Sequence, residues 1–415
     1  MSYRKESNYK RLGNYIELVD ERNVDLEITL LLGLSISKQF IPSVANTIGS
    51  NMKNYKIIRK GQFACSIMQV RRDGKMPVAL LQDYDEAIIS QAYPVFKIVD
   101  ETLLLPEYLM MWFSRSEFDR QATFHAVGGV RGSLEWDDFL NFELPIPTIE
   151  KQNEIVKEYN AIVNRIKLNE TLNQKLEEAA QVLYKHWFVD FEFPNENGEP
   201  YKSSGGEMVY CEEVDGEVPE GWEMKKMNTL CTVCSSKRIY QHEYVAYGVP
   251  FYRSKEVIEK KNGEHIAQLL YISNKRFSKI NSKYGSPERN DILLTAVGTL
   301  GVSYKVRDEK FYFKDGNLMW FKEFNNVFIS SYLYDYMQSS YFNELINNIT
   351  IGSTQKAITI KTMSDNSILV PIKKVLQNYH EISTIIREKQ ENIADLNGKL
   401  RELVTLLLAK MTKAE

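Results

Sequence analysis

The chain repeats itself. Displaced by 224 residues, one half of the sequence registers on the other without gaps for over seventy residues. Phe118 falls on Phe342, Gly128 on Gly352, Leu134 on Ile358 and Pro147 on Pro371. Leu172, Asn173, Lys175 and Leu176 recur as Leu396, Asn397, Lys399 and Leu400. Further upstream the register slips by a few residues, as loops allow. There Lys60 to Ala64 matches Arg289 to Leu293, and Phe96 with Lys97 matches Phe321 with Lys322. A repeat of this length means that one structural unit occurs twice, so whatever folds the first copy must fold the second. Each copy reads as a globular domain followed by a long helix.

The helices announce themselves by period. From Ile155, steps of four and three pass through Tyr159, Ile162, Ile166, Asn169, Asn173, Leu176, Ala180, Leu183 and Trp187. The same steps from Tyr379 pass through Ser383, Ile386, Gln390, Ile393, Asn397, Leu400, Val404, Leu407 and Met411. A 3.5-residue seam held over about five heptads is the pattern of a coiled coil, not of a helix lying on a globular core. Pro145, Pro147 and the candidate N-cap Thr148 mark the first helix start, with Glu150 near its positive end. Pro371 marks the second. Asn173 and Asn397 are equivalent in the repeat, and both fall on the seam. A buried polar residue there costs stability and specifies register; the other reading is that each sits at the interface edge. At about 1.5 Å per residue such a helix spans roughly 57 Å. Two of them, each following its own domain, are expected to pair antiparallel with the domains at opposite ends, in a dumbbell with a pseudo-twofold axis.

The total charge of −3 hides an uneven distribution. Between Glu192 and Glu223 ten acids face a single base, Lys202, among prolines, glycines, serines and asparagines. This reads as an exposed, solvated linker, or alternatively as a docking strip for a basic partner. The rest of the chain is therefore net basic. Apolar stretches such as Ile28–Leu34 and Leu403–Ala409 are far shorter than the roughly 20 residues that cross a bilayer, and the first dozen residues are polar and basic. Four cysteines in 415 residues make no disulfide framework. A cytoplasmic protein without membrane contact is expected.

A stiff spacer between two similar but divergent domains is a ruler. At about 3.4 Å per base pair, domains roughly 57 Å apart would touch DNA patches up to about 16 base pairs apart. Twofold-related domains would meet equivalent groove faces, and their divergence would make the two half-sites different. Both copies carry residues suited to this. The first has Lys38 and the run Arg71, Arg72, Lys75. The second has Lys237 and Arg238, then Tyr252, Arg253 and Lys255, then Lys305, with Lys275, Arg276, Lys279 and Lys283 between. Lysine and arginine neutralise phosphates, and arginine also bridges guanine edges; the plainer reading of any one of them is a solvated surface charge. One loop recurs at the same place in both copies: Gly128 through Arg131 to Ser133, and Gly352 through Thr354 to Lys356. Each offers glycine backbone, a hydroxyl and a cation, which suits a phosphate and equally suits a helix-to-strand turn.

With those residues in hand, the chain resembles a specificity (S) subunit of a type I restriction–modification enzyme over essentially its full length. The resemblance rests on Leu144 to Pro147 leading into Glu150-Lys-Gln152, Asn173 to Glu177 with Ala180 to Tyr184, and Trp187 to Phe191. In the second half it rests on Val218 to Trp222, Gly248 to Phe251 and Asp291 to Leu294; Ser235 and Ser236 stand where the family commonly has a glycine before the Lys237–Arg238 pair. The resemblance implies an α+β fold: two globular mixed α/β target-recognition domains separated by a long antiparallel two-helix coiled coil. The expected segments are residues 1–149 and 219–373 for the domains, 150–187 and 374–412 for the spacer helices, and 188–218 for the acidic linker. It further implies that the partners are double-stranded DNA, two methyltransferase (M) subunits and restriction (R) subunits. S-adenosylmethionine, ATP and magnesium would belong to those subunits, and this chain would bind no cofactor and carry no chemistry.

The residues themselves offer little catalysis. No phosphate-binding G-x-x-x-x-G-K-[ST] or dinucleotide-binding G-x-G-x-x-G motif is present, and no Asn-Pro-Pro or Asp-Pro-Pro run that would hold a flipped adenine. Cys231 and Cys234 have the C-x-x-C spacing, with Cys211 upstream and His242 downstream, but their separations match no zinc-finger template. A zinc- or thiol-dependent enzyme and a coiled-coil protein adaptor remain the competing expectations.

Overall fold

In a computed structural model of the protein, residues 9–43, 51–128, 132–264, 266, 268–352 and 356–411 are described. The chain forms two compact units: Met1–Lys167 with Lys399–Glu415, and Leu168–Gly398. The division falls inside both long helices.

In unit 1 the strands β1 (Ile16–Val19), β2 (Lys56–Arg59), β3 (Phe63–Cys65), β4 (Val78–Leu80), β5 (Glu86–Ile89) and β6 (Val95–Ile98) precede the helices α1 (Pro106–Phe113) and α2 (Ser116–His125). A four-stranded sheet has the order β1-β6-β3-β4, and β2 pairs with β5. All of these pairings are antiparallel. Side chains alternate across a strand, and here both faces are apolar. Phe63 and Phe96 stack on one face, with ring centroids 5.0 Å apart, in a cluster with Phe113, Phe118 and Phe139. Ala64 and Val95, their neighbours in register, belong to a separate cluster with Leu32 and Ile58. Pro106 opens α1, where its missing N–H costs nothing. The Tyr108 hydroxyl donates to Pro145 O at 3.0 Å, just before α3 (Ile149–Phe188) begins.

Unit 2 is built the same way. Its strands include β7 (Thr232–Cys234), β8 (Tyr244–Val245), β9 (Val249–Tyr252), β10 (Leu270–Ile272), β11 (Ile292–Thr295), β12 (Ser303–Lys305), β13 (Tyr312–Phe313) and β14 (Leu318–Lys322). Helix α4 (Ser254–Lys261) follows β9, α5 (Asn274–Tyr284) follows β10, and α6 (Val327–Tyr336), α7 (Ser340–Ile349) and α8 (Lys373–Lys410) follow β14. One sheet, β7-β14-β11-β12, repeats the order seen in unit 1. It too is apolar on both faces, with Ile292 and Leu294 in one cluster and Leu293 and Trp320 in another. The correspondence reaches single residues. Displaced by 224, α2 superposes in sequence on α7, and the isolated bridge Val127–Ser133 becomes Ile351–Ala357. The copies diverge most in a second sheet, β8-β10-β9-β13, which unit 1 lacks among its described residues.

The long helices occupy Ile149–Phe188 and Lys373–Lys410, within two residues of the expected 150–187 and 374–412. Every seam position named above is at least half-buried, including Ile155, Ile162, Ile166, Leu176, Leu183, Ile386, Ile393, Leu400 and Leu407. Within unit 2 the helices run antiparallel: Asn169 meets Asn397, Glu177 meets Arg387, and Trp187 meets Tyr379 with ring centroids 5.6 Å apart. Within unit 1, Ile155 and Tyr159 share a cluster with Leu407 and Met411. Asn173 and Asn397, equivalent in the repeat, have different surroundings. Asn169 Nδ2 donates to Asn397 Oδ1 at 2.7 Å, both residues being buried. Asn173 sits one turn away, where the register places Ile393 opposite, and its buried Oδ1 has no hydrogen-bond partner. The repeat thus pairs Asn with Asn on one side and Asn with Ile on the other.

A correction concerns residues 188–218, expected as an exposed linker. Phe193 is buried, stacked on Tyr201 at 4.5 Å and on Trp222 at 5.4 Å. Met208–Cys211 pairs with Gly216–Pro219 in a hairpin. Aromatic anchors fix this segment to the unit 2 core while most of its acids remain exposed. No helix among the described residues is long and apolar enough to cross a membrane.

Candidate DNA interface

In unit 1 the structure brings two of the sequence-predicted groups together. The short helix Val70–Asp73 carries Arg71 and Arg72, with Lys75 just after it, and all three side chains are exposed. Arg71 N donates to Gly132 O at 3.1 Å, so the Gly128–Ser133 loop is hydrogen-bonded to that helix. Gly132 is required there: a Cβ in its place would lie 2.8 Å from Cβ of Arg71. Ser133 is half-buried and anchors the bridge to Val127. Arg72 is held by Asp73 at 2.7 Å but remains about half exposed. Arg131 lies outside the described residues. The exposed basic patch is therefore Arg71, Arg72 and Lys75, beside Gly132.

Lys38 corrects its sequence reading. Its ammonium is buried, 2.8 Å from Asp119 Oδ1 and 4.8 Å from the Phe118 ring centroid, and it donates to Phe113 O. A cation closed in this way by a carboxylate, a carbonyl and a ring has nothing left to offer a phosphate. It ties the segment after Leu32–Leu34 to α1 and α2.

In unit 2, Lys237, Arg238, Lys255 and Lys356 are exposed. Lys237 Nζ lies 4.6 Å from the Tyr284 ring and Lys283 Nζ 5.2 Å from the same ring, so two cations flank one exposed aromatic. That constellation joins residues 47 apart and shows in no local motif. Arg238 is two-thirds exposed and oriented by Asp315 at 2.8 Å. Tyr240 and Tyr247, unassigned by sequence reasoning, are exposed aromatics close by in the chain, Tyr240 stacking on His242. Lys356 follows the second glycine loop, its carbonyl accepting from Gly298 N at 3.3 Å; Thr354 lies outside the described residues.

Three other expected contacts are committed elsewhere. Tyr252 is buried, stacked on Phe311 at 4.5 Å. Arg253 is bound to the buried Glu256, which also accepts from Arg253 N and closes the start of α4. Lys305 points inward, 3.1 Å from Ser331 Oγ, where burial pushes its ammonium down to about 8. Lys255 is exposed with a long contact of 3.6 Å to Glu259. Among the cysteines, Cys231 is buried and bonded to Met227 O, while Cys211 faces Glu213. No group of three or more metal-holding side chains occurs among the described residues.

Exposed basic groups thus occur in both units, joined in unit 2 by exposed aromatics. Comparison with known proteins points the same way. The family model described as the type I restriction modification DNA specificity domain matches twice, over residues 30–178 and 219–404. The chain is 23% identical to the type I restriction enzyme MjaIX specificity subunit of Methanocaldococcus jannaschii, over 77% of this chain and 71% of that one. It is 24% identical to the HindI specificity subunit of Haemophilus influenzae, over 87% of each. A crystal structure of a type I restriction–modification S subunit from M. genitalium matches 99% of this chain and 98% of its own with a TM-score of 0.55, at 13% identity.

Proposed function

Because the chain belongs to the family of type I restriction modification DNA specificity domains, we propose that it is the subunit that gives such a complex its DNA sequence. Each unit reads one half of a bipartite, asymmetric site. The length of α3 and α8 sets the number of unread base pairs between the halves. M subunits add the methyltransferase chemistry with S-adenosylmethionine, and R subunits add ATP- and magnesium-dependent cleavage. The chain itself recognises and does not catalyse, as the family it matches is one of DNA recognition. Its place of work is the cytoplasm, where chromosomal DNA is.

The observation that carries this reading is the double family match falling on two units with the same sheet order and different surface cations. Phosphate contacts position a protein on DNA while base contacts specify sequence. Two related scaffolds with divergent exposed residues therefore suit two unlike half-sites. The test is single-molecule methylation sequencing of DNA from cells that express this chain with its M partner. One motif with two unlike halves and a degenerate centre is expected. A contiguous motif, or no motif, would overturn the proposal. A mobility-shift experiment on that DNA with M present separates this reading from a pure protein adaptor, which would leave the DNA unshifted.

A further inference from the structure

Unit 2 contains a small polar pocket where β12, α4, α6 and α8 converge, with a volume of about 50 Å³. In a measure where one water needs about 10–15 Å³, this is room for a few waters or for one compact ion of several oxygens. Its wall is unusually cationic. Lys305 enters from β12, Lys261 from the end of α4 and Arg307 from the turn after β12. Their charges are weakly answered. Lys305 has the Ser331 hydroxyl as its hydrogen-bond partner, and Lys261 has the Gln338 amide oxygen. Neither ammonium has a carboxylate within ion-pair distance among the described residues. Arg307 reaches Glu391 and Asp395 only at 3.9 and 3.8 Å, and Glu391 is shared with Arg289 at 3.3 Å.

The contrast with the neighbouring Arg387 is informative. That guanidinium, also on the pocket wall, is fully compensated by Asp335 and Glu177. Asp335 is itself satisfied by the hydroxyls of Tyr379 at 2.8 Å and Ser383 at 2.7 Å. The fold completes one buried cation with two carboxylates and leaves Lys305 to a neutral hydroxyl, while Lys261 at the pocket mouth is exposed. Leaving a buried ammonium without a counter-charge is costly, and the lowered Lys305 value registers that cost. The Tyr334 side chain also lines the pocket, its ring centroid 5.0 Å from Arg387 and 6.0 Å from Lys305 Nζ.

We propose that this pocket binds a compact oxyanion of the phosphate class, held by Lys261, Lys305, Arg307 and the Tyr334 hydroxyl. Gln390 and the Glu391 carboxylate also line the wall, Glu391 being shared by Arg289 and Arg307; the remaining lining groups are N–H and O–H donors, which a tetrahedral oxyanion satisfies and a cation or neutral apolar group does not. The site lies against α8, so its occupant would bind the β12 strand and the end of α4 to the long helix. It stands independently of the DNA-reading proposal.

The test is thermal unfolding of the full chain in sodium phosphate against sodium chloride at matched ionic strength. At a tenfold excess over its Kd, phosphate is expected to raise the unfolding temperature of unit 2 by about 3–6 °C. Lys305→Met and Lys261→Met are expected to lose that increment, and Lys389→Met, an exposed change of the same charge on α8, to keep it. Because the readout is the response to phosphate, a change in basal stability does not obscure it; equilibrium dialysis of labelled phosphate against the same variants provides a second measurement. The phosphate could be a free ion or belong to a nucleic-acid backbone. If free phosphate stabilises and the salt dependence of duplex binding by the S–M complex is unchanged in Lys305→Met, the source is the free ion. If that variant lowers the salt slope by about one and phosphate competes with the duplex, the source is DNA. Equal effects of phosphate and chloride, with an unchanged slope in the variant, would overturn the proposal.

Discussion

Replacing either seam asparagine by leucine should move stability in opposite directions. Asn173 and Asn397 are the same position of the repeat, yet their surroundings differ. Asn397 is bonded at 2.7 Å to Asn169, while Asn173 Oδ1 is buried without a partner, opposite Ile393 in the register. A buried polar atom left unsatisfied costs about 1–3 kcal/mol. Asn173→Leu removes such an atom and places an apolar side chain against Ile393, so unit 2 should gain about 1–3 kcal/mol. Asn397→Leu creates such an atom on Asn169, which is only 4% exposed, and should cost a similar amount. For a unit of this size about 1 kcal/mol shifts the midpoint by roughly 2–4 °C, so the two variants should differ by about 4–24 °C in calorimetry. The double variant Asn169→Leu with Asn397→Leu should recover most of the loss, since replacing both partners leaves nothing orphaned. If the two single variants shift the midpoint in the same direction, the antiparallel register described for unit 2 is wrong.

Other outcomes follow from named contacts. Arg387→Ala leaves Asp335 charged, fully buried and held only by two hydroxyls, and should destabilise unit 2 by about 3–5 kcal/mol in urea unfolding. Lys305 titrates near 8 when folded against 10.5 when exposed. Between those values the unfolded chain holds the extra proton, so stability rises with pH; the wild type should gain about 2 kcal/mol between pH 7.5 and 9.5 relative to Lys305→Met. Arg72→Ala and Lys75→Ala should each flatten the salt dependence of DNA binding by about 0.9 in log–log slope if each neutralises one phosphate, and an unchanged slope would remove that residue from the interface.

Much of the fold was legible because it is periodic. The 3.5-residue seam located both helices to within two residues, and proline punctuation located their starts. Within the matched runs Lys60 to Ala64 and Arg289 to Leu293, the paired Phe63 and Ile292 open equivalent central strands, β3 and β11. Charge was harder to read, because a lysine in a sequence does not show its neighbours. Lys38 looked like a surface cation until Asp119, 81 residues on, was placed against it. Lys305 looked the same until α6 and α8 closed over β12. The acidic segment after α3 was read from its acids, while its conformation is set by Phe193, Tyr201 and Trp222. Tyr284 gained meaning only when Lys237 was brought beside it. Patterns that arise along one element survive in the sequence; pairings across elements do not.

The claim that the heads choose the bases and the helices choose the gap has one direct test. One heptad is inserted into α3 and one into α8, preserving the seam, and the DNA of cells expressing this variant with its M partner is sequenced for methylation. The same two half-sites should appear with a changed number of base pairs between them. Altered bases in either half-site, or an unchanged spacing in an active complex, would contradict the account.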